Sequence, residues 1–333
     1  MRTEGENSVS AEHREDEVLV QLADIRAAAA RIAPYVARTP LLAMRQAGFA
    51  IKAENLQPTG AFKVRGAFNA ILSLSPAERA AGIVASSSGN HGQAVAYACH
   101  RLGLAAHVVM PEFGNPVKAA ATARWGAKVT LQGRSSNETA ALARAIAAES
   151  GAAVIHPYDD RRILCGAGTM ALEILEDAPE TEEIFVPVSG GGLISGVAAA
   201  AKALKPSIRI VGVEPALAAD AAASLRQGRI VAFAPDEVRR TICDGLRVTQ
   251  LGDLGWRHIA ALVDEIVSVE EDEIGPTLRR IAGEAKLVSE PSGSVTSAAL
   301  LRRPPERNRR AVAVLSGGNV DLALYASLLA GAA

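Results

Sequence analysis

Short apolar runs rich in β-branched residues alternate with alanine-rich stretches along most of the chain from about Ile83 onward. The runs 83–85, 107–110, 128–131, 154–156, 184–188, 208–213 and 311–315 predict strands. The stretches 93–102, 138–149, 168–175 and 194–203 between them predict helices. Strand–helix alternation predicts parallel sheets covered by helices, an α/β architecture. No repeat of fixed period and no long low-complexity linker interrupts the pattern. The lobes should therefore be interleaved rather than strung apart, and no appended regulatory domain is expected.

Length and composition narrow the class. A chain of 333 residues is long enough for two lobes that share an interface. Hydrophobic residues make up 49% and charged residues 21%, the balance of a soluble enzyme with a full core. The net charge of −1 gives no general attraction to nucleic acid or to an anionic membrane. Arg302, Arg303, Arg307, Arg309 and Arg310 come nearest to a basic patch and read as a solvated loop between two elements. Cys99, Cys165 and Cys243 show no CxxC or Cys/His spacing, which argues against a disulfide framework or a zinc site and for a reducing cytoplasm. No apolar stretch is long enough to span a membrane, and the N-terminus lacks an apolar signal core. Residues 1–17 are polar and charged, and disorder is expected there.

Four motifs carry chemistry. In Val186-Pro187-Val188-Ser189-Gly190-Gly191-Gly192-Leu193-Ile194-Ser195-Gly196 a strand runs into glycines and then a helix. Glycines let successive N–H groups converge, and the helix start adds partial positive charge, so the segment is an anion cradle. By itself it also admits a dinucleotide: Gly190, Gly192 and Gly196 loosely mimic that fingerprint, with Glu214 where a ribose-binding acid would sit. In Ser86-Ser87-Ser88-Gly89-Asn90-His91-Gly92-Gln93, small polar residues between a strand and a helix can surround a carboxylate, or simply cap the helix. In Ala61-Phe62-Lys63-Val64-Arg65-Gly66, Lys63 lies between apolar residues just past a turn, where desolvation would favour its neutral amine. A solvated helix lysine reads the same way. In Val314-Leu315-Ser316-Gly317-Gly318-Asn319 a strand delivers a serine and two glycines.

In this order, the four motifs resemble those of the fold-type-II pyridoxal-phosphate (PLP) enzymes, in the serine/threonine dehydratase and serine racemase group. The resemblance covers nearly all of the chain after about Leu22, including Arg38-Thr39-Pro40-Leu41 and Gly212-Val213-Glu214-Pro215. It implies a two-lobed, tryptophan synthase β-like fold, with a small lobe of about residues 82–158 and a large lobe of 18–81 plus 159–333. It implies that Lys63 forms the imine with PLP and that Ser189, Gly190, Gly191, Gly192 and Leu193 hold its phosphate. Asn90 would touch the ring hydroxyl and Ser316 the ring nitrogen, while Ser87, Ser88, Gly89 and His91 would hold the substrate carboxylate. The reaction implied is loss of water from a β-hydroxy α-amino acid such as threonine or serine, giving a 2-keto acid and ammonia. Ser88 would be the acid/base on the face opposite Lys63, which makes racemisation the alternative activity. A cytoplasmic homodimer is the implied form.

Metal-dependent relatives place two carboxylates and a backbone carbonyl at positions matching Glu214, Asp220 and Ala218, for Mg²⁺ or for Mn²⁺ or Ca²⁺ in its place. The chain also departs from the group. Ala61 replaces a usual serine, Ser189 the first glycine of the phosphate loop, and Ala167 a common glutamine. Tyr158, Arg247 and Val248 are atypical of the threonine enzymes, and Thr139 stands where the animal racemase carries an arginine. These changes leave 3-hydroxyaspartate and bulkier β-hydroxy amino acids open as substrates.

Overall fold

The computed structural model describes residues 19–87, 89–112 and 116–331, without the side chains of residues 116 and 117. The disorder expected for residues 1–17 falls outside the described residues. The most apolar runs become strands covered on both faces. Along the strand Ala311–Leu315, Ala311, Ala313 and Leu315 enter one core, while Val312 and Val314 enter the other. A strand buried on both faces needs no polar alternation, so it reads as a continuous apolar run.

The described residues form two sheets. We number the strands β1 Leu41–Met44, β2 Phe49–Ala53, β3 Ile83–Ser86, β4 Ala106–Met110, β5 Lys128–Leu131, β6 Ala153–Val154, β7 Glu183–Pro187, β8 Arg209–Pro215, β9 Glu265–Val269 and β10 Ala311–Leu315. The larger sheet runs β1-β2-β10-β7-β8-β9 and the smaller β5-β4-β3-β6. Every neighbouring pair is parallel except β1 and β2, which form an antiparallel ribbon. One core packs the helices Arg161–Asp177 and Gly192–Leu204 on the larger sheet, and another packs Glu271–Glu284 and Pro291–Leu301 on its opposite face.

Two expectations need correction. The strand predicted over 154–156 is only Ala153–Val154. Ile155 N–H still reaches the Val84 carbonyl at 2.9 Å, but the chain then turns at His156, whose Nδ1 accepts from the Asp159 amide at 2.8 Å. The arginine-rich stretch expected as a solvated loop contains a 3₁₀ turn, Pro305–Asn308, and several of its arginines are tied down. Arg303 pairs with Glu183 at 2.7 Å, Arg302 with Glu273 and Arg310 with Glu182. The three cysteines are free and buried. No helix among the described residues is long and apolar enough to cross a membrane.

Candidate active site

Lys63 is the first residue of the helix Lys63–Leu72, whose remaining turns are almost wholly buried. Its ammonium donates to the Pro157 carbonyl at 2.6 Å and lies 5.1 Å from the centre of the Phe62 ring. Neither contact compensates a desolvated cation fully, and burial pushes the amine down to about 8. A lysine so placed is a base within reach of neutral pH.

The turn after β10 lies against the residues preceding Lys63. Phe62 N–H donates to the Ser316 carbonyl at 3.0 Å, Gly318 N–H to the Gly60 carbonyl at 2.9 Å, and Ala61 and Gly317 form an antiparallel bridge. Asn90, at the start of the helix Asn90–Leu102, joins the same group. Its amide oxygen accepts from Asn319 Nδ2 at 2.8 Å, and its Nδ2 donates to Glu290 Oε1 at 2.6 Å. Asn319 also donates to the Thr59 carbonyl, so the orientation of the Asn90 amide is fixed, with one N–H left over. Glu290 is buried and its Oε2 has no partner among the described residues. Burial pushes its carboxyl up to about 7, against the opposing pull of Lys118.

The glycine cradle closes on the other side. Gly191 precedes the helix Gly192–Leu204 at φ 94°, a left-handed conformation that side chains disfavour. Gly190 is required by proximity: a Cβ there would enter the ring of Tyr158. Tyr158 follows Pro157, so the segment that accepts from Lys63 also walls the cradle. Asp159 continues that segment and accepts from the amides of Asp253, Leu254 and Gly255 at 3.0–3.2 Å, fixing the helix Asp253–Leu262 against the glycines. Contacts through Pro157–Tyr158 and the Ser316–Gly318 turn thus link the cradle, Lys63 and Asn90, and the donor set fits PLP: an anion site, a desolvated amine, an amide N–H and a hydroxyl.

Beneath Lys63 lies a buried ionic network. Arg65 donates from Nε and Nη2 to Glu54 at 2.8 Å each, and from Nη1 and Nη2 to Glu173 at 2.7 and 2.8 Å. Lys52 donates to Glu173 and to the Thr39 carbonyl, both at 2.6 Å, and Thr39 donates to Glu54. Two cations face two carboxylates, and β2 is thereby tied to the helices that begin at Lys63 and Arg161. Lys52, Glu54 and Arg65 lie close to Lys63 in the chain, but their pattern there does not announce this role.

Glu214, at the end of β8, accepts from the amides of Ala221 and Ala222 at 3.1 and 2.8 Å. Asp220 starts the same short helix, fully buried, with neither carboxylate oxygen partnered among the described residues. Burial and the Asp220 charge push the Glu214 carboxyl well up, and burial pushes Asp220 up to about 7. No group of three or more His, Cys, Asp or Glu side chains suited to a metal occurs among the described residues. The set predicted here holds only two such side chains plus the Ala218 carbonyl. Two buried carboxylates outside any ion pair among the described residues, with oxygen donors only, fit a hard divalent ion.

The polar loop between β3 and the helix Asn90–Leu102 is described without Ser88. Ser87 N–H donates to the Val109 carbonyl at 3.0 Å, and its hydroxyl accepts from Gly89 N–H at 3.2 Å. Ser88 lies outside the described residues. His91 is buried with Nε2 3.0 Å from the Ile155 carbonyl, so the ring supports the small sheet; burial and then Lys63 push it down to about 3, and it is neutral. Thr139 is buried and accepts from Ser86 at 2.8 Å at the end of β3. Glu290 and Lys118 were not foreseen. The one signal for Glu290 was a lone carboxylate immediately before an apolar, small-residue helix.

Residues 32–317 match the family described as pyridoxal-phosphate dependent enzyme. The chain is 41% identical to the L-threonine ammonia-lyase of Thermotoga maritima over 82% of its own length and 67% of that protein. It is 42% identical to the serine racemase of Arabidopsis thaliana, over 93% of this chain and 96% of that one. Among solved structures it superposes on the serine racemase of maize with a TM-score of 0.88 and 38% identity, covering 94% of this chain and 98% of the other.

Proposed function

The chain belongs to the pyridoxal-phosphate dependent enzyme family, and from that premise we propose that it removes water from a β-hydroxy α-amino acid, threonine or serine, yielding a 2-keto acid and ammonia. The observation that carries this reading is Lys63: a desolvated amine at the start of a buried helix, held on the Pro157 carbonyl next to the Tyr158 ring that abuts Gly190. Ser189, Gly190, Gly191, Gly192 and Leu193 would hold the PLP phosphate, Lys63 the aldehyde carbon, Asn90 the ring hydroxyl and Ser316 the ring nitrogen. When bound, the pyridoxal ring supplies an electron sink for the pair released at the substrate α-carbon. Lys63 removes the α-proton, for which an amine near 8 has the matched basicity. Ser316 offers a hydroxyl where a carboxylate would keep the ring nitrogen protonated, which favours elimination over transamination. Ser87, Gly89, the amide of His91 and, by its place in the loop, Ser88 orient the substrate carboxylate. The site would lie between a small lobe of residues 82–158 and the large lobe.

Glu214, Asp220 and the Ala218 carbonyl would hold Mg²⁺, or Mn²⁺ or Ca²⁺, bracing the end of β8. The proposal includes a cytoplasmic homodimer, in keeping with three free buried thiols. Racemisation is the second reading, favoured by the likeness to a serine racemase over nearly the whole chain.

One panel tests both readings. L- and D-threonine and serine are offered to the PLP-loaded protein, and keto acid and inverted enantiomer are measured. Keto acid from an L-hydroxy amino acid is the expected result, and Lys63→Ala should abolish turnover, the yellow imine colour and the covalent trapping of the cofactor by borohydride. A Lys63→Ala protein that keeps the borohydride-fixed cofactor and its rate would refute the assignment. Inverted enantiomer without keto acid would establish the second reading instead.

A further inference from the structure

Lys118 is a nearly buried lysine, 8% exposed, on the helix Pro116–Ala123 that follows β4. Its ammonium is ion-paired with Asp244. It also stands beside the carboxylate loop: a Cβ placed on Gly89 would lie 3.7 Å from Lys118 Nζ. Gly89 precedes the helix Asn90–Leu102, whose first N–H groups already favour an anion. Two carboxylates flank this ammonium. Glu290 is buried, holds Asn90, and feels Lys118 and Asp244 with opposite signs. Asp244 opens the 3₁₀ turn Asp244–Leu246, which is anchored where Gly245 N–H donates to Ser292 Oγ at 2.8 Å.

The two partners of the ion pair differ in their access to water. The Lys118 side chain is 10% exposed and that of Asp244 39%. If the pair opens, Asp244 regains hydration at little cost, whereas the ammonium stays buried and must have another anion. Glu290 already holds Asn90, and the loop at Gly89, whose added Cβ would lie 3.7 Å from the ammonium, is the anion site open to a ligand. Resting on the proposed function, we infer that Lys118 is a specificity-determining residue whose ammonium, held on Asp244 until substrate arrives, passes to the α-carboxylate of the amino acid. The loop amides orient that carboxylate and Lys118 selects for its charge, with Asp244 the competitor that the substrate displaces.

The competing account is a clasp that only ties Pro116–Ala123 to the 244–246 turn. The two accounts give opposite signs for Asp244. PLP-loaded wild type, Lys118→Met, Asp244→Asn and the double variant are compared by KM and kcat for the best L-hydroxy amino acid. Binding of propionate, which cannot join the cofactor through an amine, is measured on the same proteins by calorimetry. Lys118→Met should raise KM and the propionate Kd by roughly tenfold to a hundredfold, the range of a charge-assisted hydrogen bond, and move kcat less. Asp244→Asn should leave both constants unchanged or lower them, and Lys118→Arg should recover part of the affinity. Equal losses in both single variants with no further loss in the double would overturn the inference, as would a propionate Kd indifferent to Lys118→Met. A wild type that turns over no hydroxy amino acid sinks the proposed function, and propionate binding still decides the role of Lys118.

Discussion

The charge buried under Lys63 and the charge buried at the end of β8 are both out of water, yet they close differently. Under Lys63, Lys52 and Arg65 face Glu54 and Glu173, and the cluster sums to zero. At β8, Glu214 and Asp220 lie together with helix amides but no ion pair among the described residues. Burial alone pushes the Glu54 carboxyl up, but Arg65, Thr39 and Lys52 outweigh it and hold the group below the usual carboxylate range. Asp220 has no such help and rises to about 7. One cluster is complete within the chain, while the other must take a proton or a metal.

The sharpest way to break the comparison is Arg65→Met, which leaves buried Glu54 without its cation and Glu173 with Lys52 alone. Removing one partner of a buried pair costs about 3–5 kcal/mol, so chemical denaturation should show a loss of that size. A loss under about 1 kcal/mol would mean that the cluster is not closed as described.

The pH dependences have opposite signs. Glu54, depressed in the folded state, contributes stability that is present above its unfolded pKa and lost as pH falls. Asp220, raised from 3.8 to about 7, contributes stability that is present below the lower value and lost as pH rises through the higher. In chelator, melting temperatures should therefore carry a loss between those limits, worth at most about 1.4 kcal/mol per pH unit for one proton. Mg²⁺ should cancel it, and Asp220→Asn should flatten the slope and remove the response to chelator. A wild-type slope that is the same with and without Mg²⁺ would remove the metal proposal.

The smallest effect sets the baseline. Arg38 pairs with Glu176 at 2.8 Å and Asp177 at 2.5 Å, but on the surface. Arg38→Ala should cost under about 1 kcal/mol by the same denaturation measurement, because exposed pairs are screened and already solvated.

Much of this was legible along the chain. The strand-to-glycine junction at Ser189–Leu193, the Ser316 turn and Lys63 are local signals, since a loop that must clear Tyr158 or adopt φ 94° writes glycine into the sequence. The ribbon of β1 and β2 was missed because these strands are short and lack alternation, and their identity depends on pairing, β1 with β2 and β2 with β10. The roles of Glu290 and Lys118 could not be read locally. Each is defined by a partner more than a hundred residues away, Asn90 and Asp244 respectively. The neutral cluster was hidden for the same reason: Arg65 finds Glu54 nearby but Glu173 only through the fold.

The place of β10 has a consequence for synthesis. This strand, the last among the described residues, lies between β2 and β7, and its far end carries Ser316 against Phe62. A growing chain that has emerged only to residue 310 has the Lys63 helix and the glycine cradle but nothing between β2 and β7 to hold them in register. Closing a loop of more than 250 residues is then the step on which the whole pocket waits. Ribosome-bound fragments ending before β10 should not retain pyridoxal phosphate, and retention should begin only once that strand has left the exit tunnel.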